Sequence, residues 1–139
     1  MQPIPHTFVV VALDGRRARV WAHGVEPGTA PVVVTAQDHR DKHRHVRGRQ
    51  TNEGQVNPTD EADYFDRITT FISEAGEILL VGHGHGTSDA TRAFRMFLDH
   101  RHRGLSARVA GSVEVDLKAL TDAQLLATAR HWFDTHERP

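Results

Sequence analysis

The sequence predicts a mixed α/β domain: a five-stranded sheet covered by helices, in the order βββαβαβα. Three observations carry that expectation. β-Branched runs with tight links fill the first quarter of the chain, and beyond Asp60 the apolar period lengthens from two residues to about 3.6. Two further apolar runs follow, each preceded by a helical pattern. Right-handed crossovers would then lay strands four and five parallel to strand one.

Residues 7–13 (TFVVVAL) form a β-branched run, and residues 17–23 (RARVWAH) alternate apolar with polar. Asp14-Gly15 between them predicts a tight hairpin turn with positive φ at both central positions. Residues 31–36 (PVVVTA), after the Pro27-Gly28 turn, complete an antiparallel meander. Residues 37–58 have no apolar period; they are polar, basic and glycine-containing. Loops of this length are unusual in a compact domain and are commonly functional or unstructured.

Tyr64, Phe65, Ile68, Phe71, Ile72 and Ala75 then fall at helical spacing, with Thr59 or Asp60 as N-cap and Gly76 past the end. Residues 78–81 read as the fourth strand. The next helix is expected over 88–103, burying Ala90, Ala93, Phe94, Phe97 and Leu98 and stopping at Gly104. Residues 108–115 give the fifth strand. Thr121 to Gln124 has capping-box form and opens a last helix that buries Leu125, Leu126, Ala129, Trp132 and Phe133. No repeat or second domain is visible.

With 139 residues, 38% of them hydrophobic and 25% charged, the chain is long enough for a core and too apolar for a disordered polymer. It has no cysteine, which excludes disulfides, thiolate zinc sites and cysteine nucleophiles. No basic segment leads into a long apolar stretch at the start, and no apolar run reaches bilayer length. A cytoplasmic location away from membranes is expected, with the oligomeric state left open. The net charge of −1 argues against a generally basic nucleic-acid binder, so local patches decide.

Two patches stand out. In the first, a strand runs into Gly82-His83-Gly84-His85-Gly86-Thr87-Ser88 and then into a helix. That order sets free N–H groups and a positive helix end at a strand terminus, where anions bind. It equally suits a tight turn with solvent-facing histidines, and the dinucleotide fingerprint is missing. The second patch is the loop, with Arg40, Lys42, Arg44, His45, Arg47, Gly48 and Arg49 as expected phosphate contacts. His39, His43 and His45 have metal-like spacing, but the interleaved cations oppose a bound cation, and no metal or cofactor is expected. Arg92, Arg95, His102 and Arg103 offer a further basic face. Asp14 is the one acidic residue placed for catalysis, and it is better explained as a turn residue. Neither a Gly-x-Ser-x-Gly elbow nor a His-Glu-x-x-His pair is present.

The run Asp63-Tyr64-Phe65, the segment from Glu77 to Gly84, residues 107–111 and residues 120–125 together resemble the central domain of archaeal and eukaryotic class-I peptide-chain release factors. They resemble more closely its short bacterial relatives, often labelled translational machinery proteins. The resemblance spans nearly the whole chain and implies a ribonuclease-H-like fold. It also implies that the loop after the third strand corresponds to the Gly-Gly-Gln loop, whose glutamine positions a water for ester hydrolysis. Here the loop reads His45-Val46-Arg47-Gly48-Arg49-Gln50, so Gly48 and Gln50 match while Arg49 replaces the second glycine. A Cβ at that place restricts the positive-φ conformations that glycine allows, which counts against peptide release. The expected function is a ribosome- or tRNA-associated protein rather than an enzyme, with Gln50 as an altered counterpart of the catalytic glutamine. The alternatives are a small phosphoester hydrolase or nuclease using Gly82 to Ser88, or a protein-interaction module in a stress pathway.

Overall fold

The computed structural model describes residues 4–36, 58–83 and 89–136, with residues 58–60 described by their backbone alone. In chain order the elements are β1 (Phe8–Leu13), β2 (Arg17–Trp21), β3 (Val32–Thr35), α1 (Pro58–Phe71), β4 (Glu77–Gly82), α2 (Ala90–Arg101), α3 (Arg103–Ser106), β5 (Val109–Glu114) and α4 (Asp122–Thr135). The strands form one mixed sheet in the order β3-β2-β1-β4-β5. β1 pairs antiparallel with β2 and β2 antiparallel with β3, whereas β1, β4 and β5 run parallel.

β1 shows why a sheet forms here at all. All six of its residues are buried, because both faces are covered. Val9, Val11 and Leu13 face one apolar cluster with Ile68, Phe94 and Leu98, under α1 and α2. Phe8, Val10 and Ala12 face the other with Leu125, Ala129 and Phe133, under α4. The two-residue alternation of a strand therefore divides one β-branched run between two cores. Gly111 in β5 is required by the second core, since a Cβ there would lie 2.7 Å from the Trp132 ring. Trp132 is half-buried and stacks on Phe8 at 6.2 Å between centroids.

Four local expectations are corrected. The β1–β2 turn is centred on Gly15 and Arg16, not on Asp14-Gly15, and neither Asp14 nor Gly15 takes positive φ. Asp14 instead specifies the turn through its carboxylate, which accepts from the N–H groups of Arg16 at 2.7 Å and Arg17 at 2.9 Å. Phe71, placed on the buried stripe by its spacing, is 42% exposed because α1 ends there and the chain turns off through residues 72–76. The helix expected over 88–103 breaks at His102, whose φ of −141° leaves the helical region, and Gly104 lies inside the short α3 rather than stopping its predecessor. Leu105, buried, and a Ser106–Asp99 hydrogen bond tie α3 back onto α2. The expected cap at Thr59 or Asp60 is overturned as well, because α1 already runs from Pro58 and both residues lie inside its first turn.

Candidate nucleic-acid interface

Both patches singled out above adjoin one end of the sheet. Thr35 of β3 pairs with Arg17, Leu13 of β1 with Ala18, and Ala12 of β1 with Val81, so the chain leaves β3, turns between β1 and β2, and leaves β4 along one rim. Neighbouring strands lie roughly 4.8 Å apart, which puts β3 and β4 about 14 Å from each other along that rim. The basic segment departs after Ala36 and rejoins the described chain at Pro58. Arg40, Lys42, Arg44, His45, Arg47, Gly48, Arg49 and Gln50 lie outside the described residues, as do Gly84, His85, Gly86, Thr87 and Ser88.

The β2–β3 side of the rim is cationic. The Ala36 N–H donates to the Arg16 carbonyl at 2.8 Å, which fixes the start of the basic segment beside the exposed Arg16 and Arg17. Asp14, whose Oδ1 accepts from the two turn N–H groups, offsets one of the two arginine charges and leaves the turn cationic. Beneath the turn, the Tyr64 hydroxyl donates to the Asp14 carbonyl at 2.9 Å. Burial above all, with the nearby Asp14 charge, pushes the phenol far above its ordinary pKa and keeps it a donor. Sequence reading placed Arg17 at the start of the second strand and singled out neither arginine. The signal was their position, next to the turn and opposite the end of the third strand.

The β4 side is built differently. Gly82 is a close-approach glycine: a Cβ on it would stand 2.0 Å from the Thr91 hydroxyl oxygen. Thr91 Oγ1 is buried there with no hydrogen-bond partner. At the start of α2, Asp89 accepts from the N–H groups of Thr91 at 3.0 Å and Arg92 at 3.2 Å. The helix thus meets its own carboxylate where an anion would otherwise bind. Glu114, exposed, stands opposite Gly82 in the β4–β5 register. His83, which follows Gly82, is half-exposed. Among the described residues, no three His, Asp or Glu side chains gather where they would share a metal ion.

The remaining cations divide in two. Arg92, Arg95 and Arg103 are exposed on α2 and α3. His102 is structural: it lies 3.6 Å from Asp66 and 5.6 Å from the Phe97 ring. Arg19, which sequence reading treated only as the polar half of an alternating strand, is 9% exposed. It donates to Asp122 at 2.9 Å and to the carbonyls of Leu117 at 3.2 Å and Leu120 at 3.4 Å, clamping β2 to the segment before α4. Partners so far along the chain leave no local signal.

No family model, curated protein or solved structure matches this chain.

Proposed function

We propose that the protein is a ribosome- or tRNA-associated factor of the translation apparatus that binds RNA phosphates and carries an altered release-factor-like loop. The observation that carries this reading is the root of the basic segment. Arg16 and Arg17 are exposed on the body beside Ala36, and the sequence that follows carries Arg40, Lys42, Arg44, Arg47 and Arg49. Arginine pairs bidentately with phosphate, and such contacts supply affinity without needing a deep pocket.

The strand order, with three parallel strands flanked by an antiparallel pair, supports a ribonuclease-H-like reading of the fold, as the release-factor resemblance requires. Arg49 in the place of a glycine favours binding over peptidyl-tRNA hydrolysis, with Gln50 retained beside it. A cytoplasmic role in dormancy or rescue accords with such a module. Co-sedimentation with purified ribosomes tests the reading. The chain should pellet with them in dilute salt, and Arg44→Glu with Arg47→Glu and Arg49→Glu should abolish this. The slope of log affinity against log salt should fall by about two to three for the phosphates those residues contact. Unchanged pelleting of the triple variant would overturn the assignment.

A further inference from the structure

The described residues expose few large apolar side chains, and most of those gather at one place. Val32 is 39% exposed, Val33 51% and Phe71 42%, all around β3 and the end of α1. β3 is an edge of the sheet. Its phase follows from the Ala36 N–H donating to Arg16, because antiparallel ladders alternate residue by residue. Val34 and Ala36 turn their backbone groups toward β2, so Val33 and Thr35 turn theirs outward from the sheet. Edge strands usually guard such groups with a charge, a bulge or an internal proline, and Val-Val-Val-Thr has none of these.

Beside that edge runs a groove of about 340 Å³, lined by Val33, Val34, Arg67, Thr70 and Phe71. Arg67 engages Asp63 through Nε alone, at 3.2 Å. Its Nη2 is shut off from water and has no partner. Among the described residues that line the groove, Arg67 is the one charged side chain, and it is 30% exposed.

We propose that β3 takes up an extended acidic peptide as an added strand, its backbone pairing with Val33 and Thr35 and its carboxylate meeting Arg67 across the groove. Main-chain pairing would give affinity, and the arginine together with the apolar wall of Phe71 would give selectivity. Charge decides between this occupant and a second copy of the chain. A two-fold β3–β3 joint would set two Arg67 guanidinium groups on the same face without a new carboxylate. Its four strand residues a side would also bury well under the roughly 1,200 Å² of stable assemblies.

The test titrates the full-length ¹⁵N-labelled chain with a peptide of alternating valine and threonine around a central glutamate, and with its glutamine counterpart. The Val33 and Thr35 amides should shift and exchange more slowly with solvent. Arg67→Gln should weaken the glutamate peptide by about tenfold and leave the glutamine peptide unaffected. Val33→Pro removes an outward N–H that no described strand uses, so it should keep the fold and lose both peptides. If that variant fails to fold, the exchange rates of the unaltered chain decide. Overturning results are silent Val33 and Thr35 amides, an Arg67 variant that treats both peptides alike, or Val33-dependent self-association without peptide binding. Neither variant should alter ribosome pelleting, which keeps failure here distinct from failure of the RNA assignment.

Discussion

At one rim of the sheet, two places that look equally suited to an anion differ in what their neighbours have already done. On the β2–β3 side, the carboxylate of Asp14 caps N–H groups of its own turn and offsets one charge, while Arg16 and Arg17 both stay exposed and keep the turn cationic. On the β4 side, the carboxylate of Asp89 occupies the N–H groups of α2, and Glu114 adds a second negative charge nearby. The same device, an aspartate capping backbone donors, leaves a surplus of cations in one place and consumes an anion site in the other. A glycine-rich turn before a helix is therefore an anion cradle only when its cap is not itself acidic.

The comparison breaks most readily at the arginines. Arg16→Glu with Arg17→Glu should cut ribosome affinity in dilute salt by on the order of a hundredfold and lower the salt slope by about two, read by sedimentation at graded salt. An unchanged slope would remove the β2–β3 side from the interface. Next comes the packing role of Gly82. Gly82→Ala should destabilise the fold by about 1–3 kcal/mol in urea melts, and Thr91→Ala in the same chain should recover much of that loss. Additive losses would mean that the Thr91 contact does not account for the glycine.

Asp89 sharpens the contrast further. Asp89→Ala should cost about 1 kcal/mol through the lost cap. Asp89→Asn keeps a capping oxygen, so it should hold stability while raising RNA affinity severalfold, because the helix end is no longer neutralised. A fall in affinity would show that the carboxylate assists binding instead. The smallest effect is expected at His83→Ala, where affinity should stay within about twofold in a phosphate-contact assay. A tenfold loss there would restore the glycine-histidine turn as a contact.

Much of the architecture was legible because it depends on short-range patterning. The β-branched runs, the change of period after Asp60 and the Thr121–Gln124 capping box each announce themselves locally, and the capping box forms with Gln124 N–H 3.2 Å from the Thr121 hydroxyl. Crossover handedness then accounts for strands four and five running parallel to strand one. What escaped depends on contacts. The β1–β2 turn takes its form from a side-chain cap rather than from backbone preference, so the Asp14-Gly15 pair suggested the wrong centre. The break at His102 contains neither glycine nor proline. In the interface, Arg16 and Arg17 acquire meaning only once Ala36 is paired beside them, and the Asp89 cap is invisible until the helix start is fixed. The basic segment was legible as chemistry, since charge needs no geometry to be counted.

β1 joins its antiparallel neighbour through a four-residue turn but meets β4 only after the whole meander, the basic segment and α1 have intervened. The entropy of closing that longer circuit grows only with the logarithm of its length, about 0.6 kcal/mol for each doubling. Inserting or deleting residues between Ala36 and Pro58 should therefore cost the body little free energy. Reach is a quantity that selection can adjust here almost independently of the scaffold that holds it.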